Sequence, residues 1–130
     1  MRSVEAGTLP IPGIDHLVRD IPKEGVRAVI LFGSQALGTA GPRSDLDLCI
    51  ITERALPQGT RDLLKSYSSR TIHISLYDEL PPGVQYRVFR DGILLFGAQD
   101  LFLHRTRVAA LRSYLNVRPL IERHIRKALG

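Results

Sequence analysis

One cysteine, Cys49, is all the thiol in this 130-residue chain, which excludes an internal disulfide and a cysteine-based zinc site. Apolar runs of membrane-spanning length are missing as well. The stretch Met1–Gly13 has one arginine but no continuous apolar segment and no small-residue cleavage pattern. A secretory signal is therefore not expected, and the cytoplasm is the expected location. There is no internal repeat and no low-complexity tract. Aromatic residues are only 6% of the chain and are too sparse toward the C-terminus to form a stacking platform for single-stranded RNA. Acidic residues are scarce there too: from Arg105 to Lys127 seven Lys or Arg residues accompany one acid, Glu122. The net charge of +5 points to anionic partners without separating nucleotide, nucleic acid and acidic protein. The length fits one domain spanning residues 1–130, with a core over 14–97 and C-terminal helices over 100–129, and leaves no room for a separate lid domain.

What is present is organised around Val26 to Thr52. A strand-length apolar run ends at Phe32 and stops at Gly33-Ser34; ten residues later Asp45-Leu46-Asp47 opens a second apolar run. A strand that ends in Gly-Ser and turns into a short helix presents backbone N–H groups and a hydroxyl, and glycine lets a phosphate come close. Two aspartates two apart in a strand leave the same face, with Cα atoms roughly 7 Å apart. Paired carboxylates beside a phosphate cradle suit an oxygen-seeking divalent cation and a nucleoside triphosphate. Asp45 and Asp47 are therefore the candidate metal ligands, and Gly33 and Ser34 the candidate phosphate cradle. Arg43 and Ser44, just before Asp45, are candidate nucleotide contacts, with plain surface solvation as the alternative for Arg43.

Around this stretch the pattern gives an irregular lead-in through Gly13, then a short amphipathic helix with Ile14, Leu17, Val18 and Ile21 at helical spacing. Strands are expected at Val26–Phe32, Asp45–Thr52 and Thr71–Tyr77, with a short fourth, Ile93–Phe96, at an edge. Ser34–Gly38 is expected to form a brief helix, and Gly38–Ser44 is dense in turn formers. In the third strand Ile72, Ile74 and Leu76 point one way and His73, Ser75 and Tyr77 the other. Thr60 is placed to cap a helix burying Leu63, Leu64 and Tyr67. A helix with Val84 and Val88 inward is expected to leave through Asp91-Gly92 in the left-handed conformation. Asp100 caps a longer helix whose stripe of Leu101, Val108, Leu111 and Leu115 is assigned to the sheet. Pro119 starts or kinks a last helix. The fold class is α/β: a small mixed sheet of about four strands flanked by helices.

Gly33-Ser34, ten residues, Asp45-x-Asp47 also resembles the motif of the polymerase-beta-like nucleotidyltransferases, in particular the minimal nucleotidyltransferases. The stretch from Pro81-Pro82 to Phe96 is similar to the helix and strand that follow that family's catalytic sheet. The likeness covers about Val26 to Asp100 and implies a palm-like nucleotidyltransferase fold. It implies that the Gly33 backbone and Ser34 hydroxyl hold the outer phosphates of ATP, and that Asp45 and Asp47 hold Mg²⁺. It further implies transfer of AMP to a protein hydroxyl, such as a tyrosine of a HEPN-type toxin for which the chain is the antitoxin. Hetero-oligomerisation with that toxin is implied, with nucleic acid reached only through it and no membrane involved.

The chain departs from the family at one position. Members with full activity usually carry a third aspartate on the next strand, where alignment through Asp78-Glu79-Leu80-Pro81 puts His73. Three readings follow: His73 as a substitute base, since an imidazole titrates near neutrality; His73 as the mark of weakened or lost transfer in a subunit that neutralises its toxin by binding; or a shifted register in which Asp78 serves. A transferase acting on RNA or on a small molecule such as an aminoglycoside is a further alternative, although relatives of the latter kind carry an additional helical domain.

Overall fold

The computed structural model describes residues 1–3, 13–33, 36 and 45–129. Val26–Phe32 forms β2, and its Val29, Ile30 and Leu31 are completely buried. A strand apolar on both sides has to be covered on both faces, and that requirement sets the architecture. The sheet is mixed, in the order β1-β5-β2-β3-β4, with β1 at Arg2–Ser3, β3 at Leu46–Thr52, β4 at Ile72–Leu76 and β5 at Ile93–Gly97. β2 runs antiparallel to both β3 and β5, while β3 pairs with β4, and β1 with β5, in parallel.

Side chains on successive strand residues alternate between the two faces. Val29, Leu31, Leu48, Ile50, Ile74 and Leu76 form one half of the core with Ile14 and Val18 of α1 (Ile14–Asp20) and Leu64 of α2 (Gln58–Lys65). Ala28, Ile30, Cys49 and Ile51 form the other half with Val88 and Phe89 of α3 (Pro82–Asp91) and Leu103 and Ala110 of α4 (Leu101–Leu129). Cys49 is fully buried and its thiol is pushed up by desolvation, in keeping with a small core residue.

Five strands are present among the described residues where about four are expected. The additional one is two residues of the lead-in, which lies along β5 with the Arg2 amide donating to the Gly92 carbonyl at 3.0 Å. β5 is consequently an interior strand and not an edge. α2 starts at Gln58 with Pro57 ahead of it, so Thr60 is inside the helix and caps nothing; Leu64 is buried but Leu63 is 50% exposed. Gly92 leaves α3 in extended conformation, φ −71°, not left-handed. Glycine is needed there for space: a Cβ would lie 2.2 Å from the Val88 carbonyl oxygen and 2.5 Å from Ile30 Cγ2.

The C-terminal segment is one continuous helix of 29 residues with Pro119 inside it, instead of two helices. Proline removes one intrahelical bond, and the residues around it are exposed, so water can satisfy the freed carbonyl. This helix also buries a different face from the one expected. Leu103 and Ala110 are its buried residues, and Tyr114 stacks on Tyr86 of α3 with ring centroids 4.4 Å apart. Leu101, Leu111 and Leu115 face solvent. At its start the Asp100 carboxylate accepts from the Leu103 amide at 2.9 Å, the expected cap. Arg27 of β2 reaches Asp100 at 3.1 Å and lies over the Phe102 ring. The expected helix at residues 34–38 and turn at 38–44 fall outside the described residues, apart from Ala36, which is helical and buried.

Candidate functional site

Three strands end together at one margin of the sheet. Phe32 at the end of β2 is opposite Asp47 near the start of β3, and Asp47 is in turn beside His73 near the start of β4. The Leu46 amide donates to the Thr71 carbonyl at 2.8 Å, which fixes the register just before Asp47. α3 and α4 cover this face of the sheet farther along, over Cys49 and Ile51. Asp47 and His73 are left partly open, with side chains 35% and 68% exposed.

Beyond Phe32 the chain turns through Gly33 at φ +77°, a conformation that L side chains avoid. Space makes the same demand, because a Cβ on Gly33 would come 2.7 Å from Asp47 Oδ2. The Gly33 bend and the Asp47 carboxylate are therefore packed directly against each other. His73 Nδ1 is 3.7 Å from Asp47 Oδ1, too long for a hydrogen bond but close enough for the imidazole to share the carboxylate's surroundings. Asp45 immediately precedes β3 and is exposed. Ser34, Arg43 and Ser44 lie outside the described residues.

Asp47 and Asp45, two residues apart, offer a purely carboxylate donor set, which suits a hard divalent cation. Among the described residues no group of three or more His, Cys, Asp and Glu is gathered to hold a metal unaided.

Asp78 is elsewhere. It lies in a 3₁₀ turn, Tyr77–Glu79, at the far end of β4, and the strand rise from His73 to Tyr77 is about 13 Å. Arg61 of α2 holds both of its oxygens, at 2.8 and 3.0 Å, and also reaches Glu79 at 2.9 Å; Lys65 binds Glu79 at 2.8 Å. A carboxylate so engaged ties α2 to the end of β4 and is not available beside Asp47. Arg61 lowers the Asp78 pKa, and Lys65 followed by Arg61 lowers that of Glu79. Groups with depressed folded values stabilise above the ordinary carboxylate range and lose that contribution as pH falls through the folded values. The thermal midpoint is accordingly expected to drop on acidification below about pH 4. Arg61→Ala should flatten the drop; an unchanged acid profile in that variant would show that these pairs do not cause it.

Arg2 Nη2 donates to the Ala36 carbonyl at 2.8 Å and so anchors the segment after Gly33 from β1. No local signal in the sequence points to this tie.

Residues 18–101, more than half of the chain, match the family described as polymerase beta, nucleotidyltransferase. The chain belongs to that family. Solved structures agree with the fold of this nucleotidyltransferase. One is a chain of a crystal structure of a toxin–antitoxin with AMP-PNP, with a TM-score of 0.71 and 21% identity, covering 90% of this chain and 96% of that one. A second belongs to a Shewanella oneidensis complex of a tri-AMPylated HEPN toxin with an MNT antitoxin, with a TM-score of 0.67 and 18% identity, covering 90% and 93%. A third, also from Shewanella oneidensis, has a TM-score of 0.68 and 18% identity, covering 92% and 100%. Comparison with curated protein sequences finds no match. Among the described residues no helix is long and apolar enough to cross a membrane.

Proposed function

We propose that this nucleotidyltransferase family member is the antitoxin of a HEPN-type toxin, a single cytoplasmic domain that transfers AMP from ATP to a tyrosine hydroxyl of the toxin. The observation that supports this most directly is the close approach of the Asp47 carboxylate to the Gly33 bend, which sets the candidate metal ligand against the candidate phosphate cradle. Solved relatives of the same fold are described with AMP-PNP and with an AMPylated toxin. Asp45 and Asp47 would hold Mg²⁺, which when bound neutralises triphosphate charge and polarises the α-phosphate.

In this reading the Gly33 backbone and Ser34 hydroxyl orient the outer phosphates, with Arg43 and Ser44 alongside. The toxin hydroxyl oxygen forms a bond to the α-phosphorus while the bond from that phosphorus to the pyrophosphate oxygen breaks. The pyrophosphate leaves with that electron pair. The hydroxyl proton passes to His73, whose Nδ1 is 3.7 Å from Asp47 Oδ1. Most of the acceleration comes from positioning and charge neutralisation.

A specific observation favours a second reading. His73 occupies the register position next to Asp47 where the family resemblance implies a carboxylate, and an imidazole cannot supply that negative charge. The chain would then neutralise its toxin chiefly by binding it, with transfer weak or absent. Incubation with α-labelled ATP, Mg²⁺ and the HEPN-type partner separates the two. Label on the partner supports the transferase, whereas tight association without label supports the binding subunit. His73→Asp is expected to raise labelling at least about tenfold by restoring a carboxylate. A fall in labelling would instead assign the imidazole itself to the reaction.

A further inference from the structure

Seven of the eight large apolar side chains exposed among the described residues lie on α4. Leu115 is 52% and Ile125 51% exposed, and from Arg118 to Leu129 every residue is exposed. At 100° per residue Leu111, Leu115, Ile125 and Leu129 fall within one sector about 80° wide, as two apolar patches, Leu111 with Leu115 and Ile125 with Leu129, separated by the Arg118–Glu122 pair that lies in the same sector. Arg105, Arg112 and Arg123, spaced by seven and eleven, line one flank of that sector. Seven Lys or Arg residues and a single acid lie between Arg105 and Lys127; the acid, Glu122, is taken by Arg118 at 2.9 Å. The family match ends at residue 101, the first residue of this helix.

We propose that this face docks an amphipathic helix of the partner protein, one whose apolar stripe is bordered by carboxylates. The proposal rests on the reading above that the chain acts on a protein partner, and it specifies which surface that partner grips and with what chemistry. Charge complementarity decides the occupant. A second copy docked antiparallel, with helix axes about 8–10 Å apart, would bring the two arginine rows to the same side of the seam with like charges facing each other. A nucleic acid would satisfy the arginines but leave the leucine and isoleucine stripe wet. One ring face each of Tyr86 and Tyr114 is already taken by their mutual stack. A helix with acidic flanks covers the stripe and pairs with the arginines together.

The test uses the full chain and the full-length HEPN-type partner in calorimetric titration at 0.15 M salt. Leu115→Asp with Ile125→Asp is expected to weaken association at least about 100-fold, and Arg105→Glu with Arg112→Glu and Arg123→Glu about 30-fold, the latter loss shrinking at high salt. AMP-PNP binding should be unchanged in both, and circular dichroism should confirm intact helix, since all five positions are exposed. Equal affinity of wild type and both variants overturns this surface while leaving the transferase reading intact. Loss of label transfer in a variant that still binds the partner normally also counts against docking here. Absence of any association with wild type overturns the partner reading and this surface together. A dimer of the chain alone that dissociates with the Leu115→Asp, Ile125→Asp variant assigns the face to a second copy. Competition by a single-stranded RNA 20-mer at the same salt assigns it to nucleic acid.

Discussion

Asp47→Ala is expected to reduce AMP transfer at least about 10³-fold, the equivalent of ~4 kcal/mol of transition-state stabilisation. Asp47 sits where β2, β3 and β4 end together, and its carboxylate packs on the Gly33 bend. Its loss leaves Asp45 alone to hold a divalent cation against the phosphates. The fold should tolerate the change, because the side chain is partly exposed and buries no apolar surface. The measurement is label transfer at saturating ATP, together with the thermal midpoint. Retention of more than about a tenth of wild-type transfer, an effect far too small for loss of a metal ligand, would remove Asp47 from the reaction.

Gly33→Ala carries the second large effect, and its stability and activity components have different causes. The left-handed conformation at φ +77° costs an alanine about 1–2 kcal/mol. The new methyl would also lie 2.7 Å from Asp47 Oδ2, and because that oxygen ends a short rotatable side chain, it is the carboxylate that gives way. A displacement on the order of 1 Å at a reacting centre costs about 100-fold in rate. Gly33→Ala should therefore fold with a modestly lower melting temperature and lose most of its transfer. In an Asp47→Ala background the steric part vanishes and only the backbone strain remains, so the two substitutions should be non-additive. Simple additivity in the double mutant would show that the bend and the acid act independently.

Much of the architecture was legible because strand periodicity is strict. Leu46, Leu48 and Ile50 against Asp47, Cys49 and Ile51 could be assigned to opposite faces from alternation alone, as could Ile72, Ile74 and Leu76 against His73 and Ser75. Gly33 could be singled out from its place between an apolar run and a turn. Less was legible where a residue's role depends on a distant neighbour. Gly92 reads as a left-handed helix exit by type, yet it is held by Ile30, which approaches from another strand. Asp78 is a plausible third acid by sequence distance, and only the course of β4 carries it to the opposite margin of the sheet, into the grip of Arg61.

α4 shows the same limit on a larger scale. Its sequence holds two helical stripes, one of Leu101, Leu111 and Leu115 and one of Leu103, Ala110 and Tyr114. The leucine-rich stripe is the more apolar, but the other contacts the body of the protein, because small residues let the helix approach α3 and Tyr114 can stack on Tyr86.

By itself, then, the sequence determined which residues share a face and singled out a glycine bend and two aspartates as one candidate site, since both readings rest on local stereochemistry and short chain separation. Tertiary structure alone decided which faces are covered, that Asp78 is held by Arg61 away from Asp47, and which leucines remain open to a partner. Those outcomes depend on packing between segments far apart in the chain, and local periodicity carries no information about what lies across the interface.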